Sequence, residues 1–188
     1  MNYTPEQIAE IVLKVLNEVN APNLSLEEKI ELAQNPNTSA EILKVLATDE
    51  DYNVRYWVAQ HPNTSVETLN VLATDKDYNV RYWVARNPNT PVEILKVLAT
   101  DKNSIVRYGV AQHPNISVET LKVLATDGDW DIRYWVAGNP NTPVEILKVL
   151  ATDRNNDVRF CVARNPNTPV EIHKLIRAYE FIMTLEDT

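Results

Sequence analysis

The sequence predicts an all-α solenoid built from five 26-residue, two-helix repeats with a helical cap at each end. Three observations carry this. Pro36, Pro62, Pro88, Pro114, Pro140 and Pro166 recur at a constant spacing of 26 residues, each inside Asn/His-Pro-Asn. Aligned on that proline, five copies begin at Asn35, His61, Asn87, His113 and Asn139, share 12 of their 26 positions, and are followed by a partial sixth at Asn165. Each copy holds two short segments of helical apolar periodicity. Neither can bury its apolar face alone, so the copies must stack. The 188 residues, 44% of them apolar, read as a single repeat domain, 1–188. Residues 1–34 are an N-terminal cap and degenerate half-repeat, 35–164 the five repeats, and 165–188 a partial repeat and C-terminal cap helix.

The first segment of a copy, Thr90-Pro91-Val92-Glu93-Ile94-Leu95-Lys96-Val97-Leu98, carries start signals. Thr90 is placed to cap, Pro91 to occupy the first helical position and Glu93 to complete a capping box. Thr38/Glu41, Thr64/Glu67, Thr142/Glu145 and Thr168/Glu171 repeat the pattern; Ile116 breaks it, leaving the cap to Ser117. Only Glu93 and Lys96 are polar in this segment, and so narrow a stripe implies neighbours on both sides. The invariant Thr-Asp and a polar turn follow. The second segment, Val-Arg-Tyr-Trp-Val-Ala at 54–59 and 80–85, is about two turns long and stops before the next Asn-Pro. At the ends, Thr4-Pro5-Glu6-Gln7 opens an amphipathic helix bearing Ile8, Ile11, Val12, Val15, Leu16 and Val19. Ser25-Leu26-Glu27-Glu28 opens a second helix, and Ile176 to Ile182 extend the last copy into a longer closing helix.

The pattern Asn-Pro-Asn-Thr-Pro-x-Glu-x-Leu, Leu-Ala-x-Asp and Val-Arg-x-x-Val-Ala resembles the bacterial leucine-rich repeat variant, and its Asp to Val-Arg core resembles HEAT-type repeats. The likeness covers roughly 26–185. It implies a right-handed superhelix of paired helices, with the second segment either α or 3₁₀, used as a binding scaffold. By the same resemblance, the Asp and Arg of each copy form a structural ladder. The iron–sulfur module associated with the variant family is not carried over, because the single cysteine, Cys161, lies far from the N-terminus.

In an array, function is sought in columns. The arginine column (Arg55, Arg81, Arg107, Arg133, Arg159) follows the Thr-Asp aspartate by six residues and reads as a tie between turn and second helix. The column Trp57, Trp83, Gly109, Trp135, Cys161 accepts residues of very different volume. In a packed core that exchange would cost several kcal/mol, so the column is placed on a surface, with the tryptophans as contact anchors. Tyr56, Tyr82, Tyr108, Tyr134 and Phe160 stay aromatic and read as inter-repeat packing beside that surface. Gln60, Arg86, Gln112, Gly138 and Arg164 vary freely near the tryptophans. His61 and His113 replace asparagine in alternate copies, as Thr68 and Thr120 replace isoleucine, and the histidines read as turn caps.

The candidate partner-binding residues are therefore Trp57, Trp83, Trp135, Tyr56, Tyr82, Tyr134, Gln60, Arg86, Gln112 and Arg164. The function expected is a non-enzymatic scaffold for a protein or peptide, cytoplasmic, monomeric or weakly oligomeric, with no cofactor, metal or catalytic residue. The 26 acidic and 18 basic side chains oppose general nucleic-acid binding. No apolar run reaches the ~20 residues of a membrane span, and no signal peptide is visible. No phosphate-cradling loop, nucleophile elbow or zinc motif occurs. Asp49-Glu50-Asp51 and Asp127-Gly128-Asp129 fail the calcium-loop pattern and read as capping turns. Two other readings stand beside the scaffold: an enzyme or enzyme-associated helical-repeat protein of DNA-repair or bilin-lyase type, and a structural spacer or engineered array.

Overall fold

The computed structural model describes residues 24–186. The helix expected from Thr4 to Val19 lies outside them. Among the described residues there are twelve helices and no strand. They are α1 (Leu26–Gln34), α2 (Ala40–Leu46), α3 (Tyr52–Gln60), α4 (Val66–Leu72), α5 (Tyr78–Arg86), α6 (Val92–Leu98), α7 (Ser104–Ala111), α8 (Val118–Leu124), α9 (Trp130–Gly138), α10 (Val144–Leu150), α11 (Asn156–Arg164) and α12 (Val170–Glu186). Each copy is a helix pair, and both members are α. The chain divides into two compact units, Met1–Thr90 and Pro91–Thr188.

Each pair has one apolar core. In the first copy Ile42, Leu43, Leu46 and Ala47 of the first segment meet Val54, Val58 and Ala59 of the second, all buried. Within Met1–Thr90 the second-segment helices α1, α3 and α5 stack in order; within Pro91–Thr188 α7, α9 and α11 do so. The seven-residue first helix closes with i to i+3 bonds. Thr100 N–H donates to Val97 O at 3.1 Å and Asp101 N–H to Leu98 O at 3.1 Å, a tightening that ends the helix without glycine. No described residue has a positive φ, which is why three glycines suffice.

The caps differ from expectation. The threonine of Asn-Pro-Asn-Thr does not cap the helix after it. Thr64 Oγ1 donates to Val58 O, Thr90 Oγ1 to Val84 O and Thr142 Oγ1 to Val136 O, each at 2.5 Å and buried. The hydroxyl instead adds a second hydrogen bond to a last-turn carbonyl of the helix before it, which also accepts from the C-cap N–H. The N-cap falls one residue later, on Ser39, Ser65, Pro91, Ser117 or Pro143. Ser65 Oγ accepts from Thr68 N and lies 3.0 Å from Thr68 Oγ1; Ser117 and Thr120 do the same at 2.9 Å. Threonine in an isoleucine position is thus tied to a capping serine, whereas Ser39, which stands before Ile42, makes no side-chain cap. The helix expected to open at Ser25 does so with a full capping box: Ser25 Oγ accepts from Glu28 N at 3.3 Å while Glu28 Oε2 accepts from Ser25 N at 2.8 Å.

The Asn-Pro-Asn turn bonds backward by one repeat. Asn87 Nδ2 donates to Ala59 O at 2.7 Å and His61 O at 3.1 Å, while its Oδ1 accepts from Asn89 N. Asn89 Nδ2 reaches Pro62 O at 2.6 Å. His61 reproduces the asparagine: Nδ1 accepts from Asn63 N at 3.0 Å, so Nε2 carries the proton and donates to Asn35 O at 2.8 Å. The histidines are turn residues, as expected.

Candidate functional site

The arginine column forms a ladder, with a reach that differs from expectation. Arg55 Nη1 donates to the backbone oxygen of its own Asp49 at 2.7 Å, but its Nε and Nη2 grip the carboxylate of Asp75, in the next copy, at 2.5 and 3.0 Å. Arg107 holds Asp127 and Arg133 holds Asp153 likewise, with Nε at 2.6 Å. Lys29 stands 26 residues before Arg55 and binds Asp49 at 2.7 Å. Burial opposes the charged forms of Asp127 and Asp153. The arginine hydrogen bonds, backbone N–H donors and neighbouring guanidinium charges outweigh it and hold both carboxyls below the usual value. These arginines are engaged and offer no free anion-binding row. The aspartates also close their own turns, as Asp49 Oδ1 accepting from Asp51 N shows.

The aromatic columns interlock. In Met1–Thr90 the Tyr56 ring lies edge-on to Trp57 at 5.2 Å and to Trp83 of the next copy at 5.8 Å, and Tyr82 meets Trp83 at 5.3 Å. In Pro91–Thr188 Tyr108 meets Trp135 at 5.9 Å and Tyr134 meets Trp135 at 6.0 Å. Each such tryptophan is wedged by edge contacts and keeps part of its surface in solvent. Trp57 and Trp83 are half-buried, while Trp135 is 39% exposed. Gly109 is buried, so the column is not a surface at every copy. Cys161, next in the column, is half-buried. Burial pushes its thiol up, against the Tyr134 hydrogen bond and the Arg164 charge, so it is a poor nucleophile. A Cβ on Gly138 would come within 3.0 Å of Cys161 Sγ.

The remaining candidates flank these rings. Arg86 and Arg164 are exposed, Gln60 and Gln112 half-buried. Arg164 lies over the Phe160 ring at 5.3 Å, and Phe160 is 59% exposed. The Gln60 side-chain nitrogen is buried without a hydrogen-bond partner among the described residues. Phe160, expected to pack between repeats with the tyrosines, is instead exposed, as is Trp130 at the start of α9. Among the described residues no group of His, Cys, Asp and Glu could hold a metal ion, and no helix is long and apolar enough to cross a membrane.

The backward-reaching turn, the Asp–Arg ladder and the paired helices define the repeat. The family model of the leucine rich repeat variant matches residues 78–103. This repeat is similar to that of the leucine rich repeat variants. The matched stretch runs from the second helix of one copy through the first helix of the next. A solved structure described as a leucine-rich repeat variant with a novel repetitive protein structural motif is 21% identical, with a TM-score of 0.45, over 93% of this chain and 82% of that one. No curated protein matches. Of the two forms left open for the second segment, α and 3₁₀, the chain takes the first: α3, α5, α7, α9 and α11 are all α-helices.

Proposed function

We propose that the chain is a non-enzymatic scaffold that binds a protein or peptide on the second-helix faces of its repeats. The observation that supports this best is the state of the tryptophans. Edge contacts with tyrosines of two copies fix Trp83 and Trp135, yet Trp135 remains 39% exposed. A large, immobilised, partly solvated aromatic side chain is what interface anchors require, since little conformational entropy is left to lose on binding. In the other unit Trp83 offers the same arrangement and Trp57 meets Tyr56 of its own copy, with Arg86 exposed as a polar contact. A scaffold use also fits the similarity to leucine rich repeat variants. The ladder arginines and the raised Cys161 thiol offer no reactive group, which weighs against an enzyme.

The test is a peptide-display selection on the purified chain, followed by calorimetric titration of the selected peptide. Trp135→Ala, Trp83→Ala and Trp57→Ala should each weaken binding about tenfold or more, as anchors do, in variants whose circular dichroism is unchanged. Val97→Ser, on the other helix row, should not. Equal affinity across all folded variants would remove the second-helix faces from the function.

A further inference from the structure

The first helices hold a pattern that their packing does not explain. In α6, α8 and α10 two turns are exposed at both edges: Val92 and Glu93 with Lys96 and Val97, and the same four positions 26 and 52 residues on. The Val97 position is valine in all five copies, although Val97 is 62% exposed and Val149 59%. Valine is a weak helix former, and an exposed position gains nothing from it unless something covers it. This differs from the sequence reading, in which the valines belonged to a buried face.

The charges say what can cover it. Glu93, Glu119 and Glu145 lie on the N-terminal edge of their helices, and Lys96, Lys122 and Lys148 about 4.5 Å further along, on the C-terminal edge. None of the six pairs with a described residue of the chain. The face therefore has one acidic and one basic edge, each with its own row of valines. We infer that this face of Pro91–Thr188 self-associates, its occupant being a second copy of the chain. The twofold axis runs along the direction in which the repeats stack. That axis turns the partner's helices antiparallel. It sets the lysine edge over the glutamate edge and each Val92-type row over a Val97-type row, so the patch is self-complementary. A twofold axis along the helices would oppose glutamate to glutamate and lysine to lysine, and is repulsive. Three helices at ~8–10 Å spacing make a footprint below the ~800 Å² per partner of stable complexes. The association is therefore weak, and added salt weakens it further.

Sedimentation velocity of the full chain up to millimolar concentration tests this, beside a Lys96→Glu/Lys122→Glu/Lys148→Glu variant and a Glu93→Lys/Glu119→Lys/Glu145→Lys variant. The wild type should shift toward a dimer as concentration rises, each variant alone should stay monomeric, and an equimolar mixture of the two should associate at least as well as wild type. A monomeric wild type, a variant that dimerises alone, or a mixture that fails to recover association would each overturn the proposal. Should either variant not fold, carbodiimide cross-linking of mixed ¹⁴N and ¹⁵N wild type decides. Intermolecular Glu-to-Lys links between these edges are expected, and their absence would overturn it.

Discussion

The guanidinium of Arg159 lies 5.3 Å from the centre of the Tyr179 ring, and Tyr179 stands 26 residues after Asp153, at the position of the next ladder aspartate. The pairs Lys29–Asp49, Arg55–Asp75, Arg107–Asp127 and Arg133–Asp153 are ionic. At the last copy the ring takes the place of the carboxylate, and Glu180 approaches Arg159 Nε at 3.8 Å. The closing helix α12 thus keeps the repeat register after its sequence has left the repeat. Tyr179→Ala should lower stability by about 1 kcal/mol, the scale of a partly buried cation–π contact. Tyr179→Asp, which restores the ladder, should recover it. Thermal melts of the three proteins check this; equal melts for Ala and Asp would detach Tyr179 from the ladder.

The Arg55–Asp75 pair, with both side chains 7% exposed, sets up an asymmetry. Removing one partner strands a buried charge and should cost about 3–5 kcal/mol, whereas replacing both by apolar residues should cost much less. Urea titrations of Asp75→Leu, Arg55→Met and the double variant measure this. A double variant as unstable as the sum of the singles would refute the coupling.

Asp127 and Asp153 titrate below the usual carboxylate value. A depressed carboxyl contributes stability that is fully present above its unfolded pKa of about 3.9 and is lost as pH falls through the lower folded value. Stability should therefore drop steeply below about pH 4. The drop should be shallower in Asp127→Asn, whose side chain does not titrate. Matching pH slopes in the two proteins would exclude Asp127 as a source of the acid sensitivity.

Thr142 donates to Val136 O, and the threonine is missing only at Ile116. Thr142→Val should cost about 1 kcal/mol, and Ile116→Thr should gain part of that amount by supplying a donor to Val110 O. Melting temperatures of both variants are the readout. Destabilisation by Ile116→Thr would mean that Ile116, which is buried, contributes more through packing than the missing hydrogen bond would.

The helix pairs were legible because they rest on local signals: proline spacing, apolar periodicity and turn residues. What the sequence left unread involves neighbours in space. A threonine before a helix looks the same whether its hydroxyl caps that helix or reaches back six residues to Val136 O. Asp49 and Asp75 are the same residue in two copies, so six-residue spacing pointed Arg55 to Asp49 while the carboxylate it grips belongs to Asp75. Val97 was read as core because a seven-residue segment with only two polar residues does not say which apolar members the neighbouring copies cover. The tyrosine–tryptophan neighbourhood was read correctly as adjacent columns, but buried Gly109 shows that column chemistry alone does not give exposure.

Hydrogen–deuterium exchange of the chain alone and saturated with a selected peptide tests binding by the second-helix faces most directly. Added protection is expected in Tyr52–Gln60, Tyr78–Arg86 and Trp130–Gly138, with Ala40–Leu46, Val92–Leu98 and Val144–Leu150 unchanged. Protection confined to the first helices would contradict it.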